Sequence, residues 1–531
     1  MENDINHVVQ EVLEKYPAKT QKNRKTHIVV KTKEVPNPEI VANVRTIPGI
    51  ITSRGCCYAG CKGVVMGPIK DMLHLVHGPI GCSYYTWGTR RSKVRTVEGV
   101  QNFSEYCFST DLQDGDIVFG GTKKLEAAIE EAVEIFHPKV IGIYSTCPVG
   151  LIGDDIGAVA SAARKKYGID VLAFSCEGYK GVSQSAGHHI ANNIVFTDII
   201  GKGTRVPKKY PINILGEYNI GGDAWEIERV LERIGYDVVA TLSGDADIES
   251  IQNAHTAEVN IVQCHRSINY IAEMLETKYG TPWIKGNFIG VEATIETLRN
   301  LAKVFGDEAL IKRTEEVIAD ELSAIEGQLA FYRERLEGKT AILYVGGSRS
   351  DHYQRVLQDL GIKSIVAGFE FAHRDDFEGR EIIPSIKLDA DSKNIPEITV
   401  TKDDEKYRII IPEDRYQELV KDGVPLAYYG GLMKTSEEGT IIIDDLNHHE
   451  SDELIKLLKP DFFLSGIKEK YVTQKAGAVS KQLHSYDYSG PYAGFRGALV
   501  LANSLDAGVY TPAWKFVTPP WKKQSVIGGE E

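Results

Sequence analysis

ERIGYDVVATLSG (residues 232–244) changes its periodicity across a single glycine. Before Gly235 the residues follow a helical spacing; after it comes a short run that is mostly apolar and β-branched. A glycine just past a helix supplies the left-handed backbone that closes it. A short apolar run bounded in this way reads as a strand buried on both faces, as in a parallel sheet. The same unit returns as KKYGIDVLAFSC (165–176), TKYGTPWIKGNF (277–288) and QDLGIKSIVAGFEF (358–371). Helix–strand alternation of this kind predicts an α/β fold with several open parallel sheets. The irregular intervals exclude a short-period solenoid.

At 531 residues the chain has room for about three such units. Its composition, 42% apolar and 25% charged, is that of an ordinary globular protein. A net charge of −13 argues against a nucleic acid or an anionic membrane as partner. The polar, acidic start MENDINHVVQEVLEKYPAK is not a signal peptide, and no run of 18 apolar residues could span a membrane. A cytoplasmic location is therefore expected. There the eight cysteines would be thiols or metal ligands in preference to disulfides.

Open parallel sheets bind ligands beyond the carboxyl ends of their strands. The run at 140–146 ends in Cys147-Pro148, and that at 259–263 ends in Cys264. The run at 341–345 leads into Gly346-Gly347-Ser348-Arg349, and that at 461–466 into Lys468. Thiols, a glycine pair and cations thus collect where sites between units would form. One segment breaks the pattern. Residues 380–430 are charged and punctuated by proline, and read as a surface insertion in the third unit with some strand of its own.

RGCCYAGC (54–61) places three thiols in six residues, yet no CxxC pair occurs, so the strong zinc signatures are missing. Cys56, Cys82 and Cys147 each lie beside glycine or proline, which lets backbone approach something bulky or fixes a turn. Spacing alone leaves a structural thiol and a cluster ligand both open. Cys57, Cys61, Cys107 and Cys176 read as packing residues. His188 and His189 are adjacent near a helix start, so at most one faces a given site. Taken alone, each of them and His484 is more often a core or surface histidine than a ligand. EGKTA (337–341) lacks the upstream glycine of a phosphate loop, and neither GxGxxG nor GxSxG occurs. The chain is expected to hold no nucleotide.

Nine motifs in chain order carry a resemblance. They are RGCCYAGCKGVVMGPIKDMLHLVHGPIGCSYYTWGTRR, STCPVGLIGDDI, CEGYKGVSQSAGHHIANN, GEYNIGGDAW, QCHRSINYIAEM, YVGGSRS, GFEFAHRDD, SGIKEK and QLHSYDYSGPYAGF. From about Val41 to Trp521 the chain resembles the α subunits of molybdenum–iron nitrogenase, and 380–430 resembles the insertion of their clostridial type. The resemblance implies three Rossmann-like parallel-sheet α/β domains with a cofactor between them. The domain expectation is an N-terminal arm at 1–45, domain I at 46–205, domain II at 206–335 and domain III at 336–531.

It also implies two metal centres. Cys56, Cys82 and Cys147 match the ligands of an eight-iron, seven-sulfur P-cluster shared with a β subunit. Cys264 and His484 match the ligands at the two ends of an iron–molybdenum cofactor carrying homocitrate, a soft thiolate for iron and an imidazole for molybdenum. Gln184 and Lys468 match residues that contact homocitrate, and Arg90 and Arg349 the arginines facing the cluster. Gly346 and Gly347 would let amides approach the sulfides. Val64 would shield the reactive face, and His188 would help deliver protons. Tyr218, Ser267 and Phe371 complete the surroundings, with the Ser267 hydroxyl beside the thiolate.

The implied activity is reduction of dinitrogen to ammonia with hydrogen release. Electrons would come from reduced ferredoxin or flavodoxin through a separate ATP-hydrolysing iron protein, and the assembly would be α₂β₂. The insertion is expected to modulate the surface met by the iron protein or by regulators. Tyr486, Met66 and Ala493 depart from the commonest residues of the family. The alternatives are a vanadium or iron-only nitrogenase α subunit, a non-catalytic cofactor-assembly scaffold, a tetrapyrrole reductase of the same fold, and a zinc-binding structural protein. Retention of Cys264, His484, Val64, Gln184 and His188 together weighs against a scaffold that must release its cluster.

Overall fold

The computed structural model describes residues 2–42, 55–88, 92–181, 183–383, 395–466, 469–483 and 489–511. The strands among them, in chain order, are β1 (Ile28–Val30), β2 (Met72–His77), β3 (Val140–Ser145), β4 (Asp170–Phe174), β5 (Pro211–Glu217), β6 (Asp237–Ser243) and β7 (Val259–Val262). They continue as β8 (Trp283–Lys285), β9 (Thr340–Gly346), β10 (Lys363–Glu370), β11 (Ile441–Asp444), β12 (Phe462–Ser465) and β13 (Val479–Gln482). They form three sheets, ordered β2-β3-β4, β6-β5-β7-β8 and β1-β11-β10-β9-β12-β13. Every pairing is parallel except that of β1 with β11. The α/β expectation holds, and the four helix–glycine–strand units lead into β4, β6, β8 and β10. Their glycines all have positive φ: 70° at Gly168, 114° at Gly235, 76° at Gly280 and 72° at Gly361. A side chain there would be strained, which is why glycine ends each helix.

Strands buried on both faces explain the apolar runs. Every residue of β2, β3, β5, β7, β11 and β12 is buried. Helix Glu308–Leu336 runs beside helices Asp223–Ile234 and Gly494–Tyr510, so the C-terminal helix packs against the layer over the second sheet.

The N-terminal residues do more than form an arm. Helices Glu2–Glu14 and Ala18–Arg24 precede β1, which closes the edge of the third sheet. Buried Arg24 donates to both carboxylate oxygens of Glu450, at 2.6 and 2.8 Å, and to the Asp444 carbonyl at 3.0 Å.

The insertion differs from expectation. Among the described residues of 380–430 there is no strand of its own, only the end of helix Arg374–Ile382, helix Glu413–Lys421 and an isolated bridge from Leu426 to Ile284. It lies between β10 and β11 of the third sheet, as an insertion in the third unit should, yet it is tied to the second. The Arg408 amide donates to the Tyr279 carbonyl and the Ala427 amide to Trp283, while Lys285 donates back to Pro425. Ile395, Leu419, Val424 and Leu426 are buried. The segment covers the open edge at β8, whose unpaired amides and carbonyls would otherwise be exposed; local composition could not reveal a partner more than a hundred residues upstream.

Arg24→Ala is expected to leave the Glu450 carboxylate buried without its partner, a cost of about 3–5 kcal/mol. Limited proteolysis of the variant should then clip the chain before β1 much faster than in the native protein, with the rest of the third sheet still protected.

Candidate functional site

Two groups of side chains stand out, one at the surface and one between the sheets. The first gathers around the ends of β2 and β3. Cys147 opens helix Cys147–Ile152 directly after β3, Cys82 lies in the helix after β2, and Cys56 precedes the helical stretch that contains Ala59–Met66. Gly178 lies against two of them: a Cβ there would come within 2.9 Å of the Cys147 sulfur and 3.5 Å of the Cys56 sulfur. Burial and the adjacent Cys147 push the Cys56 thiol up; burial, Cys56 and Cys147 do the same to Cys82. Three thiols thus face one another, yet Cys56 and Cys147 remain exposed and Cys82 half-buried. Among the described residues no three His, Cys, Asp or Glu side chains converge as they would on a single ion. A multi-iron cluster, whose thiolates attach to different irons, suits the wider arrangement.

The rim around these thiols carries large exposed side chains: Ile80, Tyr84 and Tyr85 from the helix that holds Cys82, Leu151 from the helix that Cys147 opens, and Tyr179 next to Gly178. Cys57, Cys61 and Cys176 are fully buried behind it in one core cluster, as the packing reading expects.

The second group lines a cavity where strand ends of two sheets meet. Gly216 and Tyr218 come from the end of β5, Cys264 from β7, Gly346, Gly347 and Arg349 from β9, and Phe371 from β10. Val64, Gln184 and His188 close it from the first unit, with Ile220 and Ser267 completing the wall. The cavity therefore brings together ten of the residues expected there. Arg90, Lys468 and His484, like Tyr486, lie outside the described residues.

The close approaches are specific. A Cβ at Gly347 would sit 2.9 Å from the Cys264 sulfur, and its φ of 62° disfavours any side chain. A Cβ at Gly346 would collide with the Phe371 ring. Phe371 itself holds a left-handed φ of 46°, a strained state for a bulky residue. It is held there by Asp445, which accepts its amide at 3.1 Å, and by Ser185, which donates to its carbonyl at 3.2 Å. His188 meets the Phe371 ring edge-on at 6.3 Å. His189 points elsewhere and packs on Tyr270 at 4.6 Å, so only one of the two histidines faces this cavity. The Ser267 hydroxyl donates to the Cys264 carbonyl at 3.3 Å.

Charge is concentrated behind the cavity. Buried Arg349 lies 3.4 Å from Glu217 and 3.6 Å from Asp223. Burial raises the Glu217 carboxyl to about 7, with Arg349 opposing the shift and Asp223 adding to it. Asp223 also accepts the amides of Tyr492 and Ala493, at 2.7 and 3.0 Å.

Beside Cys264, Arg266 donates to Asp376 and Asp375 at 2.7 Å each and meets His373 at 2.7 Å. Although burial opposes it, the Arg266 and His265 partners hold Asp376 well below the usual carboxylate range. The sequence reading assigned no role to Glu217, Asp223, His265, Arg266, Asp375 or Asp376, although all six lie in the quoted motifs. Charged residues inside GEYNIGGDAW, QCHRS and AHRDD were the available signal; out of context a charge reads as solvated.

A polyanionic metal cluster fits this donor set. The cavity offers one thiol, an imidazole, an amide side chain, a guanidinium and a glycine pair whose amides can approach sulfides.

The family model described as nitrogenase component 1 type oxidoreductase matches residues 56–510. The nitrogenase molybdenum-iron protein alpha chain of Clostridium pasteurianum is 67% identical over 98% of each chain. Its counterparts from Methanosarcina barkeri and Klebsiella pneumoniae are 51% and 41% identical, again over 98% of each chain. A solved structure described as nitrogenase Cp1 at pH 6.5 superposes with a TM-score of 0.94 at 67% identity, covering 97% of this chain and 100% of that one.

Glu217 generates a pH prediction. The folded chain binds this proton more tightly than the unfolded chain, so the associated stability is full below the ordinary glutamate range and is lost as pH rises toward about 7. In the cofactor-free protein, Glu217→Gln should flatten the fall of the melting midpoint across that window.

Proposed function

We infer that the chain, which belongs to the nitrogenase component 1 type oxidoreductases, is the α subunit of a molybdenum–iron nitrogenase that reduces dinitrogen to ammonia with release of hydrogen. The observation that carries the reading is the separation of thiols into two sets: Cys56, Cys82 and Cys147 facing one another at an exposed rim, Cys264 alone in a cavity between two sheets. The first set suits a P-cluster completed by a β subunit, and the exposed aliphatic and tyrosine side chains of the rim suit burial against that partner. The second suits one end of an iron–molybdenum cofactor with homocitrate. The two clusters supply electron storage and the metal-centred reduction, fed by an iron protein that hydrolyses ATP. Within this reading the chain works in an α₂β₂ assembly.

The chain's own residues hold, shield and feed the site. Cys264 and His484 are the two attachments. Gln184 and Lys468 offer a donor and a cation to homocitrate, and Arg349 and Arg90 offset the negative charge of a buried cluster. Val64 limits access to one face, while His188, an imidazole at the cavity wall, holds and passes a proton toward the reacting face. Tyr218, Ser267 and Phe371 keep water out and fix the wall. The division at about residues 45, 205 and 335 belongs to the same proposal; each of the three larger segments contains one sheet, with β1 added to the last. A cytoplasmic location also belongs to it. No helix among the described residues is long and apolar enough to cross a membrane, and none of the eight cysteines is in a disulfide.

Protein purified anaerobically with its partner subunit should form ammonia from dinitrogen when iron protein, reductant and magnesium–ATP are added; absence of ammonia from metal-replete protein would overturn the reading. His188→Gln should lower ammonia formation on the order of a hundredfold at unchanged metal content. Gly347→Ala should instead deplete the cofactor metal, because the new methyl group occupies the space beside the Cys264 sulfur; undiminished molybdenum would contradict that.

A further inference from the structure

The Cys264 side chain occupies an unusual place in its helix. It is the residue immediately before helix His265–Tyr279, the position whose side chain ordinarily accepts one of the free amides of the first turn. Cys264 makes no such capping bond. The amide of the next residue, His265, is instead met from the third sheet: it donates to the Ser348 hydroxyl oxygen at 2.8 Å. Ser348 lies in the loop after β9, between Gly347, whose backbone abuts the Cys264 sulfur, and Arg349.

The contact continues inward. The Ser348 hydroxyl oxygen is 2.7 Å from His265 Nδ1, and His265 Nε2 is 2.7 Å from Asp376 Oδ1. The Asp376 carboxylate only accepts, so Nε2 carries the proton of that bond, and the Ser348 hydroxyl, which accepts the His265 amide, gives its own proton to Nδ1. Asp376 is held in turn by Arg266 and by the His373 amide at 2.8 Å. Tyr429 stacks on His265 at 4.0 Å with the rings 12° apart, and its hydroxyl donates to Asp375. The residue types are those of a hydrolytic triad, but Ser348, His265 and Asp376 are each at most 1% exposed, so no substrate reaches the serine.

We propose that Ser348, His265 and Asp376 are positioning residues for the cofactor: Ser348 caps the Cys264 helix in place of the cysteine, leaving the thiol for the metal, and the relay registers Cys264 against the loop of Gly346, Gly347 and Arg349. The proposal rests on the cofactor assignment above. It explains why a cysteine tolerates this helix position, and why two walls contributed by different sheets stay aligned about one sulfur. A ligand held by such a network keeps its orientation, and the network tunes the metal it binds.

The test uses the assembled holoprotein, purified anaerobically, with Ser348→Ala and Asp376→Asn made separately. Molybdenum in the native protein checks the cofactor assignment; its absence there sinks that assignment and the proposal with it, whereas the variants test the proposal alone. Loaded variants are expected to show altered line positions in the magnetic resonance spectrum of the cofactor and a shifted midpoint potential. The two changes should be non-additive in the double variant, as for members of one network. Native spectra and potentials in both loaded variants would overturn the proposal. If a variant fails to load, the melting midpoint of its cofactor-free form decides. A drop of less than about 3 °C supports local positioning, and a larger one assigns the residue to the fold and overturns its place in the relay.

Discussion

The contact between Gly347 and the sulfur of Cys264 is the constraint on which the rest depends. It is where the carboxyl end of a strand in the second sheet touches that of a strand in the third, and it leaves no room for a single methyl group. Everything nearby serves to hold two independent sheets at that distance. Phe371 is held in a left-handed backbone against Gly346. Arg266 spans to Asp375 and Asp376, and Ser348 reaches back to cap the helix behind the thiol.

Charge is the second constraint. An interior that accepts a polyanionic cluster must supply cations without becoming an unstable core in its absence. Arg349 is therefore already paired, with Glu217 and Asp223, and burial keeps the Glu217 carboxyl ready to hold a proton. Buried ion pairs of this kind add little net stability. Their value here is orientation, since the two carboxylates fix the guanidinium at the cavity wall. The exposed thiols fit the opposite logic: Cys56 and Cys147 lie at the surface, as the proposed sharing of a cluster with another chain would require.

Much of this was legible from sequence. The glycines at 168, 235, 280 and 361 marked strand entries because a positive φ leaves a residue signature. The residues lining the cavity were reached by motif resemblance, since strands buried on both faces send their chemistry to their ends. Long-range partners were not legible. Nothing in CHRS says that its arginine meets AHRDD more than a hundred residues later, and nothing in 395–430 says that it covers β8 in preference to forming a strand. Local propensity reports backbone geometry; pairing across units is set by packing that no local window contains.

The most direct test of two separate metal centres is metal analysis of the anaerobically purified protein and its Cys264→Ala variant, with the co-purifying subunit identified. The native protein should carry about one molybdenum per chain with iron in large excess, and the variant should lose molybdenum while retaining the iron held at Cys56, Cys82 and Cys147. Equal molybdenum in both proteins, or loss of all iron from the variant, would contradict the account.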